Sequence, residues 1–244
     1  MNSAPTGREI QKCGDKSTGC LICGRALVYH DKAVQKQCAL CGKNTRGNAE
    51  CEGGHFVCDD CHRADALAFL PHLRESAEQS PAGMLSRIFG LRSVHMHGPE
   101  HHIIVPCVLL AAYCNNGGEL DLAEALEEAV FRGRQVPGGA CGYLGVCGAA
   151  AGAGIYASIA TGSNPLNGAV WHLPQRLVSR TLTEIADTGG PRCCKRTSFI
   201  AVGQAVRFTR EHLGVTIPED EFDCAFSEQN KECLKGGCRF FAKG

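Results

Sequence analysis

Residues 20–61 carry eight metal-type ligands in four pairs: Cys20 with Cys23, Cys38 with Cys41, Cys51 with His55, and Cys58 with Cys61. Two residues between a pair of thiolates let one tight turn bring both sulfurs to one ion. A glycine follows two of the pairs, in CLICG and CALCG, and permits the left-handed backbone such a knuckle uses. Eight ligands suffice for two closed four-coordinate sites. Zinc is the expected metal, because it takes thiolate and imidazole tetrahedrally and has no redox chemistry of its own. The spacing therefore predicts a small module folded around two zinc ions.

Two pairings are open. Sequential pairing joins the first two pairs and then the last two. Interleaved pairing joins Cys20, Cys23, Cys51 and His55, and separately Cys38, Cys41, Cys58 and Cys61. The stretch CALCGKNTRGNAECEGGHFVCDDC resembles the first part of a RING-type cross-brace, in which ligand pairs alternate between metals. That resemblance implies the interleaved order. The last C-x-x-C pair of a RING is missing after Cys61, so ubiquitin-ligase activity is not expected. The metals are expected to replace a hydrophobic core too small to fold alone, with docking of a partner as the other role. His62 and Cys13 read as bystanders.

The rest of the chain reads as helical. Residues 1–17 look like a flexible tail, 18–64 the two-zinc module, 65–94 a linker with short helices, and 95–244 an all-α cysteine-rich domain. Helices are expected near 99–114, 119–132, 147–161, 166–187 and 193–213. Pro99 suits a first turn, where its missing N–H costs nothing. DLAEALEEAVFRGR has acids early and arginines late, as the helix dipole prefers. Alternating Val/Ile/Tyr runs are scarce. The fold class is thus mainly α, a small cross-brace-like module followed by an all-α domain.

The chain has 17 cysteines and a formal net charge of zero. The zero balance argues against nucleic acid or an anionic membrane as partner. No apolar run is long enough to span a bilayer, and MNSAPTGREIQKCGDK lacks the apolar core of a secretory signal. A cytoplasmic location is expected, with the thiols reduced and used for metal or redox chemistry rather than disulfides. So many reduced thiols suit an anaerobe.

Beyond the module, Cys107, Cys141, Cys147, Cys194, Cys224, Cys233 and Cys238 are the candidate cofactor ligands. Cys114 reads as a core residue. Cys141 and Cys147 bracket the glycine-rich loop of PGGACGYLGVCGAAAG, and Cys193 and Cys194 open a helix in GGPRCCKR. Helix N–H groups and the flanking Arg192 and Lys195 are expected to favour thiolate there. Adjacent cysteines seldom both bind one ion, so one of Cys193 and Cys194 is expected to serve otherwise. An iron–sulfur cluster needs about four converging cysteines, and a dithiol needs two, one with a depressed pKa. The cluster is slightly favoured, since these thiols sit in loops.

IVPCVLLAAYC, GGACGYLGVCGAAAGAG and the tail with Cys224 and KEC together resemble the redox-active family named for its C-GCAxxG-C-C pattern. In that pattern the matching positions are Cys107, Cys147, Cys224 and Cys233. HMHGPEHH, NPLNGAVW and GGPRCCKR, with the N-terminal module, resemble an uncharacterised domain family of methanogens and anaerobic bacteria. These resemblances imply a helical redox protein that serves a partner such as a radical-SAM enzyme or a methyltransferase. A homodimer is open.

VHMHGPEHHIIVPC places His95, His97, His101 and His102 around Glu100. Imidazole suits iron, nickel or zinc. His97 and His101 are the candidate acid–base or ligand residues, with Cys193 as the candidate catalytic thiol. The alternative is a helix cap with solvated histidines. In SNPLNGAVW, Asn167 is expected to cap the next helix and Trp171 to pack in the core. No phosphate loop, SAM-type glycine motif or Ser-His-Asp arrangement occurs. Three functions follow: a metallocluster or redox protein, a metal- or thiolate-dependent enzyme on a small substrate, and a zinc-module adaptor.

Overall fold

The computed structural model describes residues 19–242. The expected tail at 1–17, and Cys13, lie outside them. The chain forms two compact units, one running to Val57 and the other from Cys58 onward.

The first unit is built on an antiparallel hairpin of β1 (Leu27–Gln37) and β2 (Asn44–Cys51). Leu27 pairs with Cys51 and Gln37 with Asn44, and the register shifts between Tyr29 and Val34. This hairpin leaves no mark in the sequence pattern. Its strands carry no apolar face: Leu27, Val28, Tyr29 and Val34 are all exposed. A period of two is legible only when one face is buried. Among the described residues up to Val57, those buried are Cys20, Cys38 and Cys51. This unit has a sulfur interior in place of an apolar core.

The second unit is helical. It comprises α1 (Asp59–Ala64), a 3-10 turn (Asp65–Phe69), α2 (Leu70–Glu75), α3 (Pro81–Phe89), α4 (His101–Asn115), α5 (Leu122–Arg134), α6 (Ala140–Tyr143), α7 (Gly148–Thr161), α8 (His172–Thr188) and α9 (Cys194–His212). The expected helices thus appear, except that the run from 166 starts as turns and becomes helical only at His172. In those turns Asn164 Oδ1 accepts from the N–H groups of Leu166 and Asn167 at 2.9 and 3.1 Å. Asn167 offers its carbonyl to the Trp171 N–H at 2.8 Å. Trp171 is 50 % exposed, so it is a surface residue and not the core residue expected.

α4 is the hub. It is apolar all round and packs against α3, α5, α7 and α9. A helix buried on every side shows no amphipathic stripe. α7 approaches it on glycines: a Cβ at Gly152 would lie 2.9 Å from Pro106 Cδ. α5, half-buried, starts with Asp121 Oδ1 accepting the Glu124 N–H at 3.1 Å. Buried Arg63 donates to the carbonyls of Arg134 and Val136 at 3.1 and 3.0 Å, which ties α1 to the free carbonyl end of α5. The chain then returns past α9, where Cys224 forms an isolated bridge with Phe241. Among the described residues no helix is long and apolar enough to cross a membrane.

Candidate metal centres

Each knuckle is made by local hydrogen bonds. The N–H of Gly24 donates to the Cys20 carbonyl at 2.8 Å, and that of Gly42 to the Cys38 carbonyl at 2.9 Å. Both glycines have positive φ, +72° and +74°, the region closed to most side chains. The first pair then meets the third. Cys23 Sγ lies 3.7 Å from Cys51 Sγ, and His55 Nδ1 lies 3.8 Å from Cys20 Sγ and 3.6 Å from Cys51 Sγ. Tetrahedral thiolates at a zinc–sulfur distance of about 2.3 Å stand about 3.8 Å apart. These spacings are therefore the edges of a coordination tetrahedron.

The second pair meets the fourth, and all ligand atoms of Cys38, Cys41, Cys58 and Cys61 lie within 4.8 Å of one another. The arrangement is interleaved. Both sets can hold a metal ion. Burial desolvates Cys51, but the backbone hydrogen bond from His55 and the neighbouring Cys20 outweigh it and bring the thiol down to about 7. Burial pushes Cys20 up.

In the second unit Cys193, Cys224, Cys233 and Cys238 line one cavity of about 20 Å³, walled by Phe199, Phe222, Phe226 and Phe240. Three separate segments supply them: Cys193 precedes α9, Cys224 lies at the bridge with Phe241, and Cys233 and Cys238 flank a 3-10 turn at Lys235–Gly237. Backbone N–H groups face three of the sulfurs: Arg196 to Cys193 at 3.5 Å, Phe226 to Cys224 at 3.4 Å and Lys235 to Cys233 at 3.3 Å. Among the described residues, the sets whose ligand atoms close within 4.8 Å do not include these four. Lys195 lies beside them, over the rings of Phe89 and Phe226 at 4.6 and 4.3 Å, and burial lowers its ammonium to about 8.

The other candidate thiols lie elsewhere. Cys107 is fully buried in α4 inside the apolar core, and burial pushes its thiol up. Cys141 is exposed on α6. Cys147 precedes α7 and packs against the core. Cys194 opens α9, and its sulfur accepts from the Gly98 backbone. Burial drives the thiol up to about 12, outweighing the Gly98 hydrogen bond and Arg192, so thiolate is not favoured there as expected. Burial raises Cys193 and Cys224 in the same direction.

The histidines are not solvated. His101 is fully buried, its Nδ1–H donates to the Gly98 carbonyl at 3.2 Å, and burial lowers it to about 3, so it is neutral. His102 donates from Nδ1 to the Val136 carbonyl at 3.0 Å. His97 Nε2 contacts Glu232 Oε2 at 3.2 Å and Asn230 Oδ1 at 3.3 Å, joining the histidine loop to the tail. Glu100 is fully buried; His62 Nδ1 stands 3.0 Å from its Oε2 and His95 Nδ1 3.5 Å from its Oε1. Burial pushes the Glu100 carboxyl up, but these imidazoles outweigh it and hold it well below the carboxylate range. His62, which reads as a bystander in the sequence, lies 38 residues from Glu100 along the chain; only the packing of α1 brings them together.

No curated protein and no solved structure matches the chain. A family model described as "Family of unknown function (DUF5714)" matches residues 71–241. That stretch contains α4, the histidine loop and the four-thiol cavity, and it excludes the eight ligands of residues 20–61. Over most of its length, therefore, the chain belongs to the DUF5714 family, whose function is unknown.

Proposed function

We propose that the protein is a metal-dependent redox carrier: two zinc ions shape the N-terminal module, and an iron–sulfur cluster sits in the helical unit. The observation that carries this reading is the cavity lined by Cys193, Cys224, Cys233 and Cys238. A single ion draws its thiolates to within about 4 Å of one another. A cluster holds them farther apart, because iron and sulfide lie between them. The four thiols line one space of about 20 Å³ and fall outside the sets that close to single-ion distances, so a cluster there requires its walls to open around it. Phenylalanine side chains wall the space, N–H donors face three of the sulfurs, and Lys195 and Arg196 would offset the negative charge that thiolates and cluster bring. Burial, hydrogen bonds to sulfur and nearby charge are the means by which a protein sets a cluster's potential.

A reactive dithiol is less well supported, since burial pushes Cys193, Cys194 and Cys224 up while such chemistry needs a depressed thiol. Electron or sulfur delivery to a partner enzyme, of the radical-SAM or methyltransferase kind, rests on the family resemblance of the thiol motifs. The test is iron and acid-labile sulfide analysis after anaerobic purification and reconstitution. Wild type should carry both, together with two zinc ions. Cys224→Ser and Cys238→Ser should each lose iron and sulfide while retaining zinc. Wild type with zinc alone would overturn the cluster.

A further inference from the structure

Glu100 stands immediately before α4, with its carboxylate turned into the protein and shielded from solvent. Two imidazoles from different segments meet it: His62 from α1 and His95 from the loop before α4. The ligand atoms of His62, His95 and Glu100 all lie within 4.8 Å of one another. The two rings meet edge to face, with centroids 4.8 Å apart. The His95 backbone N–H donates to Glu100 Oε1 at 3.1 Å and fixes that oxygen, while its buried Nδ1 makes no hydrogen bond.

A carboxylate taken out of water needs a cation or several donors to hold it there. Among the described residues the ion pairs of Glu100 are all with imidazoles, those of His62, His95 and His101. His101 already spends its Nδ1–H on the Gly98 carbonyl. The backbone is drawn close over the group: a Cβ at Gly98 would fall 2.1 Å from Glu100 Oε2 and 2.4 Å from His62 Cε1. Only glycine fits there, so the loop is shaped around these side chains.

We infer that His62, His95 and Glu100 form a third metal site, which binds a divalent first-row transition ion of the zinc or iron(II) class. Two imidazoles and one carboxylate are a borderline-to-hard donor set suited to those ions. Three protein ligands leave coordination positions open for water or a small ligand, unlike the closed four-ligand sets of residues 20–61. The site contains no sulfur and stands independently of the cluster reading.

Cobalt(II) is the probe that separates it from the thiol sites. Cobalt bound to thiolate gives intense sulfur-to-metal charge-transfer absorption, and cobalt on nitrogen and oxygen gives only weak ligand-field bands. Full-length protein carrying its thiolate-held metals should take up one further equivalent of cobalt without new charge-transfer absorption. Glu100→Gln and His95→Asn should each abolish that equivalent and leave zinc and iron contents and helical circular dichroism unchanged. His95→Asn decides the matter if Glu100→Gln fails to fold, because His95 reaches the edge of the site. Uptake unchanged in the folded variant, no uptake by wild type, or an added equivalent with charge-transfer bands would each overturn the site.

Discussion

At the scale of single residues, the 17 cysteines share one chemistry and differ in surroundings. Cys107 occupies one of the four positions of the thiol pattern that the sequence resembles, yet its side chain lies inside the apolar core with no solvent contact. Cys141, read as a ligand because it borders the glycine-rich loop, is exposed. Alkylation needs both access and a thiolate. Under native conditions iodoacetamide should therefore modify Cys141 well before Cys107. Cys107 should react only through unfolding, about a thousandfold or more slowly. Peptide mapping by mass spectrometry measures both, and prompt native labelling of Cys107 would contradict its placement. Spacing alone made the eight N-terminal ligands legible, because a C-x-x-C knuckle is a local structure. The convergence of Cys193 with Cys224, Cys233 and Cys238 depends on how α9 meets the returning tail, which no local pattern encodes.

At the scale of elements, the long helices are legible, α4 and α7 as apolar runs and α5 by its cap and charges. α5 has its Asp121 cap and its dipole-matched charges, and α9 begins at the CCKR motif. The hairpin of β1 and β2 was not legible, since exposure on both faces erases the alternation that marks a strand. The glycines of α7 show how packing overrides propensity. In a helix Gly→Ala normally gains up to about 1 kcal/mol. At Gly148, however, a Cβ would stand 2.0 Å from His102 Cδ2, and the hydrogen bond to Val136 holds that ring in place. Overpacking of this kind costs about 1–3 kcal/mol. Gly148→Ala should thus destabilise despite its better propensity. Gly142→Ala on α6, where nothing lies within 4 Å of the new Cβ, should be neutral or slightly stabilising. Chemical denaturation reads the two signs, and a stabilised Gly148→Ala would show that α7 packs less closely.

At the scale of the whole molecule, the two units hold together by different physics. The helical unit buries an apolar core around α4 from Phe69 to Phe226. The unit ending at Val57 buries cysteines instead, and its strands present apolar side chains to water. A hairpin in that position is marginal by itself, whereas structural zinc contributes about 10–16 kcal/mol of folding free energy in small metal domains. Removing metal with a strong chelator should therefore abolish amide protection across Leu27–Gln37 and Asn44–Cys51. The helical circular dichroism should change little, because the core around α4 contains none of the eight ligands. Hydrogen exchange read segment by segment distinguishes the outcomes. Protection of the hairpin that survived metal removal would mean that something other than the metals holds it. The boundary of the family match agrees with this division of labour: it begins at residue 71, beyond the last zinc-type ligand. Metal removal should therefore unfold the hairpin while the helices packed on the apolar core around α4 persist.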